Sequence, residues 1–136
     1  KDFNRLNHFK VEEAGEKVAI LALGDFYQRG EQLSAKIKAE LGFTPTLINP
    51  RFASGIDKEL LESLSERHQM VITMEDGILS GGFGEKIASF YGSSDMKVKN
   101  YGLDKKFYDR YDPNELLKEV GMTPVQIIAD ICNQIK

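Results

Sequence analysis

Cross-linking and metal-binding side chains are scarce in this sequence. Cys132 is the single cysteine, tryptophan is absent, and histidine occurs only as His8 and His68. One cysteine excludes an internal disulfide and any multi-cysteine metal site. The two histidines show no H-x-x-H or H-E-x-x-H spacing and neither falls in a Ser/His or Cys/His motif, so no nucleophilic set is visible. No apolar run is long enough to span a bilayer, which speaks against a membrane role. No secretory leader pattern opens the chain. Basic residues form no stripe and the formal net charge is −3, so nucleic acid is not an expected partner. Cys132 lies in an apolar, helix-patterned segment, where a free thiol is expected to be buried and inert. These features fit a reducing, cytoplasmic setting.

The chain has 136 residues, 41% hydrophobic and 29% charged. That balance supports one domain with one hydrophobic core rather than a disordered chain. Strand and helix patterns alternate along it. Phe9 and Val11 alternate with His8, Lys10 and Glu12, predicting a half-buried edge strand, and Ala14-Gly15-Glu16 reads as a turn. Val18 to Leu23 is uninterrupted apolar sequence, the mark of a strand covered on both faces. Asp25 is a cap candidate with Gln28 completing a capping box, and Phe26, Gly30, Leu33, Ile37 and Leu41 form an inner helical stripe that Gly42 ends.

The alternation continues beyond it. Thr46 to Asn49 is a strand stopped by Pro50. Asp57 caps a helix with Leu60, Leu61 and Leu64 on its inner face, and Met70 to Met74 forms another central strand. Gly81-Gly82-Phe83-Gly84 opens a helix carrying Ile87, Ala88 and Phe90 or Tyr91. Met96 to Tyr101 alternates with Lys97 and Lys99, as expected near a sheet edge. Asp112-Pro113-Asn114-Glu115 and Thr123-Pro124-Val125-Gln126 each start a helix with a cap followed by proline. The second of these has Ile127, Ile128, Ile131 and Ile135 on its apolar face. A strand followed by repeated strand–helix units argues for a mostly parallel sheet between helix layers.

Four places invite chemistry. Gly81, Gly82 and Gly84 precede a helix whose first N–H groups could face an anion. The segment is not a P-loop, because Ile87 follows Lys86 where Ser or Thr is required. It is not a dinucleotide fingerprint either, because Ile87 replaces the third glycine. Its structural alternative is close approach of helix and sheet. Glu75 and Asp76 end a strand, where α/β proteins place ligand groups. Adjacent strand residues point to opposite sides, so the two are expected to act separately, as a cap or an interdomain contact, and not as an acid–base pair. Arg51, after Pro50, is an anion or interface candidate, with an exposed salt bridge as the alternative. His68 falls at an expected helix C-terminus, where the helix dipole favours a charged imidazole.

Val18-Ala19-Ile20-Leu21-Ala22-Leu23-Gly24, Asn49-Pro50-Arg51-Phe52 with Asp57, Val71-Ile72-Thr73-Met74-Glu75-Asp76 with the glycines behind it, and Asn100-Tyr101-Gly102-Leu103 together resemble the C-terminal domain of the transketolase superfamily over nearly the whole chain. The Arg-Phe pair and the Glu-Asp…Gly-Gly-Phe-Gly segment are most similar to the 1-deoxy-D-xylulose-5-phosphate synthase family. One departure is that Ala53-Ser54-Gly55-Ile56-Asp57 stands where that family commonly has Lys-Pro-Leu-Asp.

The resemblance implies a three-layer α/β/α fold with four parallel strands and one antiparallel edge strand. It implies a parent enzyme that condenses pyruvate with glyceraldehyde 3-phosphate, releasing carbon dioxide, with thiamine diphosphate and Mg2+ as cofactors. Its product would feed isoprenoid, thiamine and pyridoxal synthesis. The Gly-Asp-Gly…Asn metal motif and the aminopyrimidine-binding Glu belong to preceding domains in that family. The chain is therefore expected to hold no catalytic, cofactor or metal site of its own. It would be a fragment or truncated homologue that buttresses those domains and a homodimer. Two other readings stand beside this one: a stand-alone flavodoxin-like anion-binding module, and the C-terminal domain of a 2-oxoacid dehydrogenase β subunit.

Overall fold

Val18 to Leu23 are all buried, as a strand covered on both faces requires. A computed structural model of the chain describes residues 9–23, 27–50, 57–76, 83–92, 94–103 and 124–135, with the backbone alone at Glu75, Asp76, Gly102, Leu103 and Pro124. Its elements in chain order are β1 (Lys10–Glu13), β2 (Lys17–Ala22), α1 (Tyr27–Leu41), β3 (Thr46–Asn49), α2 (Lys58–Leu64), β4 (His68–Asp76), α3 (Phe83–Tyr91), β5 (Lys97–Leu103) and α4 (Pro124–Gln134).

The strands form one sheet in the order β1-β3-β2-β4-β5. β2 runs parallel to β3 and β4, β4 runs parallel to β5, and β1 is antiparallel to β3 at the edge. The period of two in β2 divides the interior. Val18, Ile20 and Ala22 face a core shared with Leu33 and Ile37 of α1 and with Ile127, Ile128 and Ile131 of α4. Ala19, Leu21 and Leu23 face a second core with Leu61 and Leu64 of α2 and Phe83, Ile87 and Tyr91 of α3. Helices on both faces make the three-layer α/β/α arrangement that the alternating pattern predicts. Each large aliphatic side chain so covered contributes roughly 1.5–3 kcal/mol.

Element ends follow local chemistry. α1 stops at Leu41, and Gly42 carries the chain away at φ 79°. β3 stops at Asn49, one residue before Pro50. Asp57 caps α2 as predicted: Oδ1 accepts from the Leu60 N–H at 3.2 Å, while Oδ2 accepts from the Phe9 N–H at 3.0 Å. This one carboxylate thus ties the chain just before β1 to the start of α2. α4 begins at Pro124. The expected cap at Asp25, the stripe residue Phe26 and the Asp112–Glu115 helix start lie outside the described residues.

Two expectations need correction. Phe9 is buried but Val11 is 40% exposed. Among the described residues β1 pairs only with β3, and its register slips between Val11 and Glu13, so strict alternation fails at a bulged edge. Cys132 is exposed, not buried. The inward stripe of α4 runs through Ile127, Ile128 and Ile131, and one residue past Ile131 is a further ~100° around the helix, outside that stripe.

Candidate functional site

In parallel sheets, ligand groups gather at the carboxyl ends of neighbouring strands whose onward connections diverge. β2 and β4 are such a pair, since the chain leaves β2 for β3 on one side and β4 for β5 on the other. Their ends are joined by the Leu23 N–H, which donates to the Met74 carbonyl at 2.9 Å. Glu75 and Asp76 are the last two residues of β4 and still belong to the ladder, opposite Gly102 and Leu103. Gly84 is the second residue of α3. The structure therefore gathers Glu75, Asp76 and Gly84 at one end of the sheet. Arg51, Gly81 and Gly82 lie outside the described residues.

Gly84 is where the two readings of the glycine segment diverge. It is buried. A Cβ there would stand 2.7 Å from Asn100 Cγ, 2.9 Å from Asn100 Oδ1 and 2.9 Å from Thr73 Oγ1. Those two side chains are cross-strand partners on β4 and β5, and the Thr73 hydroxyl donates to Asn100 Oδ1 at 2.7 Å. The first turn of α3 thus rests directly on a hydrogen-bonded polar pair, and glycine is the residue that permits it. Close helix–sheet approach accounts for Gly84 without a ligand.

Thr73 and Asn100 were not singled out by sequence pattern. The available signal is the hydroxyl of Thr73 inside the run Met70–Met74, because a fully buried hydroxyl needs a partner and Thr73 has no exposed surface. A second unanticipated pair joins β5 to α4. The Tyr101 hydroxyl donates to Asp130 Oδ2 at 2.5 Å. Burial, reinforced by that bond and by the Asp130 charge, pushes the phenol well above its ordinary pKa, so Tyr101 remains a donor.

The opposite end of the sheet carries the described histidine. His68 is the first residue of β4, and its Nδ1 lies 2.9 Å from the carbonyl oxygen of Leu64, the last residue of α2. The expected contact with a helix end is present, but the expected favouring of the charged ring is not. Burial outweighs that hydrogen bond and holds the imidazole pKa below its ordinary value. His68 also lines an open cavity of about 430 Å3 together with Ser65, Asp95, Lys97 and Gln134. The cavity is at the amino ends of β4 and β5, away from the carboxyl ends where this fold class places ligands. Topology therefore favours the Glu75–Asp76 end as the candidate site. Among the described residues no three or more His, Cys, Asp or Glu side chains are grouped to hold a metal ion. No described helix is long and apolar enough to cross a membrane.

Comparison with known proteins agrees with the architecture. The chain is 33% identical to 1-deoxy-D-xylulose-5-phosphate synthase of Shouchella clausii (strain KSM-K16) over 132 residues, which are 96% of this chain and 21% of the relative. It is 38% identical to the same enzyme of Clostridium perfringens (strain 13 / Type A) over 115 residues, covering 83% of this chain and 18% of the relative. The chain thus spans about a fifth of the length of the curated relatives it matches. A solved structure described as a split gene transketolase, inactive beta4 tetramer, superposes with a TM-score of 0.77 at 24% identity, covering 94% of this chain and 42% of that one. This similarity supports the fold. The profile of the family "Transketolase, C-terminal domain" matches residues 7–127, and the chain belongs to that family.

Proposed function

We propose that this chain works as the non-catalytic C-terminal domain of a 1-deoxy-D-xylulose-5-phosphate synthase-like transferase in the cytoplasm. The parent would condense pyruvate with glyceraldehyde 3-phosphate and release carbon dioxide. The observation that carries the reading is the pairing of a C-terminal-domain family match with coverage of only 21% of the first relative. Thiamine diphosphate, held with Mg2+ by the other domains of the parent, would supply carbanion stabilisation. This chain's own contribution would be mechanical. Its two packed cores give a rigid block, and Arg51, Glu75, Asp76, Gly81 and Gly82 would offer contacts to the preceding domains and across a homodimer. Intrachain domain interfaces of this kind bury about 600–1,500 Å2.

Calorimetry of the isolated chain with Mg2+ and thiamine diphosphate tests the reading, with no saturable heat expected. Binding at micromolar concentration would overturn it. The reading frame upstream of Lys1 discriminates further. Both thiamine-site motifs are expected there, and a native start beside Lys1 would favour a stand-alone anion-binding module.

A further inference from the structure

Three hydrogen bonds run end to end at the amino-terminal end of the sheet. The Gly15 N–H donates to Thr46 Oγ1 at 2.8 Å, Thr46 Oγ1 lies 2.7 Å from His68 Nε2, and His68 Nδ1 lies 2.9 Å from the Leu64 carbonyl oxygen. The two ends of this relay fix its direction. A carbonyl oxygen can only accept, so Nδ1 must carry a proton. In a neutral imidazole Nε2 is then bare, so the Thr46 hydroxyl donates to it while accepting from Gly15. One polar relay therefore joins the β1–β2 turn, the first residue of β3, the first residue of β4 and the last residue of α2.

We infer that His68 is a proton-operated latch on the β1–β2 turn: protonation at Nε2 removes the acceptor of the Thr46 hydroxyl and loosens its hold on Gly15. Thr46 Oγ1 must then share its two acceptor sites between the Gly15 N–H and the new Nε2–H, while its own hydrogen, displaced in a buried residue, is costly to leave unpaired. The turn is closely seated, and the Glu16 N–H also donates to the Thr44 carbonyl oxygen at 2.8 Å. The backbone of Gly15 is pressed against the next loop, where an added Cβ would come within 2.1 Å of the Thr44 carbonyl oxygen. Lys17, two residues on, holds the left-handed region at φ 69°, which is unusual for a side-chain-bearing residue. The open cavity beside His68 gives protons a route to the ring.

Charged groups approach from each neighbouring element. Glu16 in the turn favours the charged ring, and Arg67, just before it, disfavours it. Lys17 is the ladder partner of His68 on β2, but its ammonium sits over the Phe43 ring at 5.1 Å. Asp95 and Lys97 of opposite sign line the cavity. Burial is the largest influence and lowers the pKa from 6.5. The unfolded chain therefore takes up the proton more readily than the folded one. The latch contributes fully above about pH 6.5, the ordinary histidine value, and its contribution is lost as pH falls through the lower folded-state value.

The test is a pH titration by NMR of His8→Gln, which leaves His68 as the single imidazole, and of the same chain with Thr46→Val. Above pH 7 the ring is expected as the Nδ1–H tautomer. Below 6.5 the Gly15 amide shift should move with the ring signal on one midpoint, and its exchange protection should fall at least tenfold. With Thr46→Val the ring should still titrate while the Gly15 amide stays flat. An Nε2–H tautomer, a Gly15 amide indifferent to ring titration in His8→Gln, or a ring that stays neutral until the whole chain unfolds would each overturn the latch. Because tautomer and co-titration are both read in the chain with native Thr46, the outcome stands even if Thr46→Val does not fold.

Discussion

The Asp57 carboxylate accepts two hydrogen bonds, from the Leu60 N–H at the start of α2 and from the Phe9 N–H before β1. Asp57 is legible as an α2 cap because a cap needs nothing beyond the next turn of chain. Its second bond, to the Phe9 N–H, crosses 48 positions and leaves no local trace. Asp57→Ala should therefore cost more than an ordinary cap, about 2–4 kcal/mol, since a lost cap is worth ~1 and a stranded buried N–H ~1–3. Urea unfolding measures it, and a loss near 1 kcal/mol would show that the Phe9 bond contributes nothing.

Gly84 gives the companion case. Gly84→Ala should destabilise by roughly 1–3 kcal/mol, because Thr73 and Asn100 must yield to the new methyl. Phosphate at constant ionic strength should leave the melting temperature of both proteins unchanged. Protection of the unsubstituted protein alone, with Gly84→Ala as stable as it, would favour an anion site instead.

At the scale of elements, burial on both sides made the sheet readable and one-sided cover made its edges harder. The runs Val18–Leu23 and Met70–Met74 have nowhere to go but the centre of a parallel sheet, and both are central. Val11 and Cys132 misled because each adjoins a buried stripe without belonging to it. Tyr101 and Asp130 were opaque for another reason: one reads as a strand aromatic and the other as a surface acid, and only the packing of α4 brings them together. Tyr101→Phe removes the donor and leaves a half-buried carboxylate to water, at a cost of about 1–2 kcal/mol. The loss should concentrate in α4, so native-state hydrogen exchange is the sensitive measurement. Amides of Ile127 to Ile131 are expected to lose protection while those of β2 keep theirs. Uniform loss across both would mean that α4 and the sheet open as one unit.

For the molecule as a whole, the proposed role requires a surface that would meet neighbouring domains. Among the described residues the large exposed hydrophobics are Val11 and Val125, at 40% and 65%. Val11 is on β1 at one edge of the sheet, while Val125 is on α4, tied to β5 at the other. Two valines so far apart form no patch, and isolated exposed hydrophobics are ordinary. The described surface therefore does not identify an interface, whereas the sequence supplies Phe107, Tyr108 and Tyr111, outside the described residues, as an aromatic group of the kind that interfaces favour. If the chain is a domain separated from its neighbours, that group should drive weak association of the isolated chain with itself. Sedimentation equilibrium over a hundredfold range of concentration is expected to show a dimer forming at high concentration. Phe107→Ser combined with Tyr111→Ser should return it to a monomer, and Val125→Ser should not, since an isolated valine is no anchor. A circular dichroism melt checks that the double variant remains folded. A strictly monomeric parent chain would remove the reason to place the interface in this segment, and a dimer broken by Val125→Ser would move it to α4.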